Sequence, residues 1–248
     1  MNDERVQKMR NIDDYSKVYS AHSFEDYQVA YRRKKVLEQI RKFNPQSILE
    51  IGVGSEPIFQ YVDNIKFTIV EPSKDFYENA RRISRGKVRC LCGFFEEMVN
   101  ELEQEYDMIL CSGLLHEVEQ PMKLLKAIVR LCHENTVVHI NVPNANSLHR
   151  LVALASGIIS DTHDMSQRNS ILQQHRVFDI ESLVQIVEES GLSVLNRGSY
   201  FIKPFAHEQM YNMLKAGIIN ENILDGFYKM EKYIPDLGSE IYVNCKCI

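Results

Sequence analysis

Apolar residues come in short, dense runs separated by longer mixed segments. Ile48 to Ile51, Phe67 to Val70, Met108 to Cys111 and Val137 to Val142 are such runs, with a weaker one at Val88 to Leu91. Runs this short and this apolar predict strands buried on both faces. The segments between them carry helical spacing. Ser73 to Ile83 is one, and Met122 to Cys132 is another, opening after Pro121 and repeating Leu124, Leu125, Ile128 and Leu131. Strands alternating with helices predict a mainly parallel sheet with helices on both faces.

The pattern changes after Val142. A long insertion, Ala145 to Val177, precedes a helix with Asp179 as its N-cap, Leu183, Ile186 and Val187 on its apolar face and Gly191 as its stop. Ser193 to Ile202 and Glu240 to Cys247 predict two more strands, which brings the sheet to seven. The segment joining them, Phe205 to Tyr233, is helical in character and too long for a hairpin turn. Ahead of the first strand, residues 1–44 predict a helical segment that ends near Asn44-Pro45. Within it, Tyr27 to Phe43 sets Val29, Val36, Leu37 and Ile40 on one face, with Arg33 in the middle of that face. A buried arginine requires an anion, and the expectation is that Arg33 binds the carboxylate of a bound cofactor, an internal carboxylate being the alternative. The expected division is therefore one domain: a helical segment 1–44, a core 45–144, a lid insertion 145–177, and a C-terminal part 178–248 carrying the helical insertion 205–236.

Composition narrows the function. With 248 residues, 44% hydrophobic and 25% charged, the chain suits one large folded α/β domain. A formal net charge of −5, without any run of five Lys or Arg, argues against a nucleic-acid partner. No apolar stretch approaches the roughly 20 residues that span a bilayer, and the opening MNDERVQKMR lacks the apolar segment of a secretion signal. The expectation is a cytoplasmic protein without a membrane partner. Among six cysteines, Cys90 with Cys92 and Cys245 with Cys247 stand two apart, which puts each pair on one strand face. Neither a repeated metal-ligand spacing nor a regular His partner appears, so reduced core thiols and no metal are expected.

The segment Ile48-Leu49-Glu50-Ile51-Gly52-Val53-Gly54-Ser55 runs from a strand directly into a glycine-rich turn, where a ligand can approach the main chain closely. The next strand ends in Val70-Glu71-Pro72, its acid about 20 residues beyond Gly52, a separation at which a carboxylate can accept both ribose hydroxyls. A nicotinamide site uses the same two features. Here, however, Pro57 stands where a third glycine would let a helix approach a pyrophosphate, and Glu50 would repel that group while tolerating a sulfonium or ammonium.

Taken in order, ILEIGVGS, VEPS, CGFFEE, YDMILCSGLLHEV and HINVPNANSLHRLVA resemble class I methyltransferases that use S-adenosylmethionine. The tail, HRVFDIESLVQIVEESG, FIKPF and EIYVNC, looks like a bacterial branch associated with methylation of sugars or surface-glycan precursors. The resemblance extends from about Tyr27 onward. It implies a Rossmann-like sheet, S-adenosylmethionine as cofactor, S-adenosylhomocysteine as product, and a small-molecule acceptor. It further implies that Glu50, Gly52 and Gly54 face the methionine part, that Glu71 with Pro72 holds the ribose, that Phe94 and Phe95 lie against adenine, and that Ser112 and Gly113 line the methyl-donor cleft. Two departures stand out: many relatives carry an acid near Phe94, and relatives often carry a histidine at Glu117.

Methyl transfer is an in-line displacement, so alignment can supply about 7–11 kcal/mol of the barrier. A hydroxyl acceptor also gains from a general base, worth roughly 10²–10⁴-fold. His116, after the fourth strand, and His175, in the insertion, are the candidates. His149, Arg150 and Arg176 in the same insertion, with Lys203 beyond it, are candidate acceptor contacts, the arginines suiting an acidic or phosphorylated group. Nitrogen methylation, methylation of a phosphate or carboxylate oxygen, a non-catalytic cofactor-binding scaffold and a nicotinamide oxidoreductase remain the alternatives.

Overall fold

The computed structural model describes residues 24–102, 106–166, 169 and 174–247. The first 23 residues of the expected N-terminal segment, and six residues of the insertion 145–177 (167, 168 and 170–173), lie outside that description. The chain enters through helix α1 (Glu25–Phe43), and seven strands follow: β1 (Ser47–Ile51), β2 (Lys66–Glu71), β3 (Arg89–Cys92), β4 (Met108–Ser112), β5 (Val137–Pro143), β6 (Leu192–Tyr200) and β7 (Glu240–Cys247). They form one sheet in the order β3-β2-β1-β4-β5-β7-β6. The first five pair in parallel, while β7 runs antiparallel to both β5 and β6. The four dense apolar runs are strands covered on both faces, while the weaker fifth forms the half-exposed edge strand β3.

On one face, Leu49, Ile51, Ile109 and Cys111 pack with α4 (Pro121–Val129) and α6 (Ile180–Glu189) through Leu124, Leu125, Leu183 and Val187. The alternate strand residues Ile48, Met108 and Leu110 meet Val36 and Ile40 of α1 on the other face. Helix α2 (Lys74–Ser84) lies over Ile69 through Ala80 and is capped by Ser73, which accepts from the Phe76 N–H. Asp179 caps α6 as the sequence suggests, accepting from Ser182 N–H at 2.8 Å, and Gly191 follows its end with φ +100°. The segment between β6 and β7 holds α7 (His207–Lys215) and α8 (Glu221–Lys229), whose Met210, Leu224 and Tyr228 join Tyr31, Tyr200 and Phe201 in a separate aromatic cluster. Among the described residues no helix is long and apolar enough to cross a membrane. No cluster of His, Cys, Asp and Glu there could hold a metal ion. The six cysteines are free, but only Cys111 and Cys245 are fully buried and Cys92 is exposed, so the expectation of core thiols holds for two of them.

Helix α1 departs from its expected face. Its buried side includes Gln28, Lys35 and Gln39, and Arg32 lies on the same stripe with its side chain 15% exposed. This stripe meets the face of β7 formed by Glu240, Tyr242 and Asn244, whose alternate residues Ile241, Val243 and Cys245 enter the main core. Lys35 lies 5.3–5.7 Å over the rings of Tyr200, Tyr228 and Tyr242 and pairs with Glu231 at 2.9 Å. Helix α1 is thus seated by paired polar groups as well as by Val36 and Ile40.

Candidate active site

The strand order reverses between β1 and β4, which leaves a crevice at their carboxyl ends. A cleft opens there, lined by the turn after β1, the end of β2, the turn after β4 and one side of α1. Gly52 and Gly54 hold φ of +71° and +58°, the left-handed region that other residues rarely adopt. A Cβ on Gly54 would meet nothing within 4 Å, so the main chain there is open to a ligand. Glu71 stabilises the same turn: its carboxylate accepts from Val53 N–H at 2.8 Å, Gly54 N–H at 3.3 Å and Ser73 N–H at 2.8 Å.

Glu50 is 5% exposed and accepts from the Ile58 N–H at 3.1 Å. Burial pushes its carboxyl up to about 8, with the charge of Glu71 adding to the rise and the Ile58 hydrogen bond opposing it. The cleft therefore holds one acid poised to titrate near neutrality beside another tied down by backbone donors. A cation in the cleft would favour the ionised form of Glu50.

The opposite wall is made by Ser112, Gly113, Leu114 and Glu117 after β4 and by Arg32 and Arg33 of α1. Arg32 is fixed by Glu240, whose carboxylate oxygens each lie 3.0 Å from its Nε. Gln28 donates to the same carboxylate at 3.0 Å, and the Tyr200 hydroxyl is a further donor to it. The Arg32 guanidinium then rests on Gly113, 3.0 Å from where a Cβ would stand. Arg33 differs from expectation. It is only half-buried and pairs with Glu56 beyond the glycine turn, with its guanidinium 4.3 Å over the Tyr61 ring. The anion it requires is supplied within the chain, although Arg33 still borders the cleft.

Of the other expected positions, Pro72, Ser112 and Gly113 line the cleft with Glu50, Gly52, Gly54 and Glu71. Phe94 and Phe95 do not. Phe95 opens the short helix α3 (Phe95–Met98), is 2% exposed and belongs to the main core, while Phe94 stands just before that helix. The aromatic side chain that does border the cleft is Phe76 of α2. His116 is buried behind the lining, 3.8 Å from Glu117, and it is Glu117 that faces the cleft.

None of the described residues of the insertion lines this cleft. The insertion closes on itself instead. Arg150, on helix α5 (Leu148–Ala155), gives its guanidinium to the carbonyls of Thr162 at 2.7 Å and Asp164 at 2.6 Å. His149 is half-buried on the same helix. His175 and Arg176 have exposed side chains, and their N–H groups are held by the His116 carbonyl. Lys203 is 1% exposed and also lies outside the cleft lining. Sequence reasoning missed Arg32, Glu117, Phe76 and Glu56. The signal for Glu117 was its place in the turn directly after a buried strand, where side chains face a ligand edge.

A seven-stranded sheet of this order, with the antiparallel β7 inserted between β5 and β6, is a Rossmann-like fold of the methyltransferase type. The family model described as "Methyltransferase domain" matches residues 21–196, and the chain belongs to that family. No curated protein matches it by sequence. Among solved structures it is similar to the Burkholderia thailandensis 1,6-didemethyltoxoflavin-N1-methyltransferase, solved with 1,6-didemethyltoxoflavin and S-adenosylhomocysteine, with a TM-score of 0.62 and 13% identity over 95% of this chain and 86% of that one. It is also similar to a SAM-dependent methyltransferase from Archaeoglobus fulgidus, with a TM-score of 0.54 and 17% identity over 86% and 94%. The plantazolicin methyltransferase BamL gives 0.53 and 16% over 94% and 96%. At these identities the likeness is one of fold.

Proposed function

We propose that the cleft binds S-adenosylmethionine and that the protein methylates a small molecule. The observation that carries this reading is the pairing of Glu50 and Glu71 around the open Gly52–Gly54 turn. Bound there, S-adenosylmethionine would supply a methyl group on a sulfonium. Glu71 suits the ribose hydroxyls, Glu50 and the glycine turn the cationic methionine end, and Phe76 the base. Arg33 borders the same cleft, but its charge is already met by Glu56. Ser112, Gly113 and Glu117 border the end where an acceptor would enter. Calorimetry with S-adenosylhomocysteine and with nicotinamide dinucleotides tests the reading: binding of the first alone is expected, and binding only of the second would overturn it.

For the acceptor, an oxygen of a sugar, nucleotide-sugar or glycan precursor is the first class to screen with labelled S-adenosylmethionine. A ring nitrogen is the second, favoured by the bound heterocycle of the Burkholderia structure. Glu117 suits a hydroxyl or a ring N–H, because either sheds a proton on methylation. His175 is exposed and His116 lies behind Glu117, so the proton-accepting role passes to the carboxylate.

Two outcomes follow at the cofactor. Glu71→Ala removes a charged acceptor worth about 1.5–3 kcal/mol, so the dissociation constant for S-adenosylhomocysteine should rise about 10- to 100-fold by calorimetry. An unchanged affinity would exclude Glu71 from the site. Glu50 gives a pH signature. Below about 8 it is protonated in the free protein, and above it is ionised, the form a sulfonium favours. The affinity for S-adenosylmethionine relative to the uncharged sulfur of S-adenosylhomocysteine should therefore rise as pH increases through about 8, and Glu50→Gln should flatten that rise. A ratio independent of pH in the unaltered protein would remove Glu50 from the sulfonium.

A further inference from the structure

A chain of buried polar side chains runs from α1 to the wall of the cleft. His139 and Asn141 lie fully buried on the α1 side of β5, while Val138, Ile140 and Val142 alternate with them into the opposite core. Asn244 of β7 stands opposite His139 in the ladder. Its Oδ1 is 2.8 Å from His139 Nδ1, and its Nδ2 donates to Gln39 Oε1 at 3.0 Å and Asn196 Oδ1 at 2.8 Å. On the other side of the ring, His139 Nε2 is 3.0 Å from Asn141 Nδ2. Asn141 Oδ1 accepts from the Gly113 N–H at 2.9 Å, and its Nδ2 donates to Ser112 Oγ at 2.9 Å. Ser112 and Gly113 line the cleft.

One proton assignment satisfies the whole chain. The Asn141 amide nitrogen only donates, so Nε2 must accept and the imidazole proton must sit on Nδ1, where Asn244 Oδ1 receives it. Burial pushes His139 down to about 4, which keeps the ring neutral near pH 7. The Gly113 N–H is shared between Asn141 Oδ1 at 2.9 Å and the Asn141 main-chain carbonyl at 3.0 Å, and turning the amide over would set its NH₂ against that N–H, donor against donor.

We infer that His139 is a positioning residue: as the neutral Nδ1–H tautomer it fixes the amide orientation of Asn141, and through it the Gly113 backbone at the cleft wall. Gly113 has φ +66°, and the Arg32 guanidinium held by Glu240 rests on its open side. The inference rests on the methyltransferase reading only for what occupies the cleft.

His139→Phe keeps a planar ring and removes both nitrogens, whereas His139→Gln keeps one donor and one acceptor. The readouts are the ¹H–¹⁵N resonance of the Gly113 amide and calorimetry with S-adenosylhomocysteine. In H139F the Gly113 resonance should move and the dissociation constant should rise about tenfold, while H139Q stays within about twofold. A folded H139F with an unmoved Gly113 resonance overturns the inference, as does an H139Q as impaired as H139F. Where H139F does not fold, the unaltered protein decides by long-range ¹H–¹⁵N correlation at His139. A proton on Nδ1 supports the inference and a proton on Nε2 overturns it. Failure of the unaltered protein to bind S-adenosylhomocysteine would count against the cofactor reading instead, and the Gly113 and tautomer readouts would still decide this one.

Discussion

Replacing Glu117 by Gln should lower methyl transfer by about 10²- to 10⁴-fold, the range that general-base catalysis supplies, with S-adenosylhomocysteine affinity nearly unchanged. An acceptor O–H or N–H that takes on a methyl group must release its proton. Glu117 is the carboxylate at the Ser112–Gly113 end of the cleft, 6% exposed, and its turn is closed by its own N–H bonding the Leu114 carbonyl at 2.9 Å. Glutamine preserves the shape but cannot take the proton. Donor binding should survive because its proposed contacts come from Gly52, Gly54 and Glu71, across the cleft. The assay is release of labelled product with an acceptor found by screening, beside calorimetry on the same variant. Full turnover in E117Q would remove the base and favour an acceptor already ionised before transfer.

Gly238→Ala should destabilise the fold by about 3 kcal/mol or more, the upper end of overpacking costs. The position is crowded by main chain rather than by yielding side chains. A Cβ there would overlap the backbone nitrogen and carbonyl oxygen of Tyr200 and stand 2.8 Å from Ser199 Cβ. The Gly238 N–H also donates to Ser199 Oγ at 2.9 Å, and its carbonyl accepts from Asn144 Nδ2 at 2.9 Å, so the segment cannot step aside without leaving buried polar groups unmet. For a domain of this size the loss corresponds to a melting temperature roughly 6–12 °C lower. A variant melting within a degree or two of the unaltered protein would show that the segment entering β7 yields.

The central strands were legible because burial on both faces leaves an apolar signature: Met108 to Cys111 carries no charged side chain, and Ile48 to Ile51 is broken only by the buried Glu50. The placement of Gly52, Gly54 and Glu71 at one cleft was equally legible, since it depends on local backbone shape and on the separation of two adjacent strand ends. Helix α1 was not. Gln28, Arg32, Lys35 and Gln39 have the same spacing as a solvated stripe, and a sequence does not distinguish a polar residue facing water from one facing Glu240 or Asn244, more than 200 positions away. The alternation in β7 misleads in the same way, because its polar face is covered by that helix. Phe95 was drawn to the cofactor by resemblance, whereas its place in the first turn of α3 carries it into the core. Arg150 looked like an anion receptor because an unpaired guanidinium and one satisfied by backbone carbonyls read identically as a letter.

The seam between α1 and β7 also constrains how the sequence can diverge. Exchange of Arg32 alone would leave Glu240 as a buried carboxylate, and exchange of Glu240 alone would leave the guanidinium over Gly113 without its anchor. Gln39 and Asn244 are tied by the same reasoning. In a family alignment these pairs should therefore change together or not at all, giving statistical coupling between the positions that face one another across the seam, while the exposed neighbours Arg41 and Lys42 drift independently.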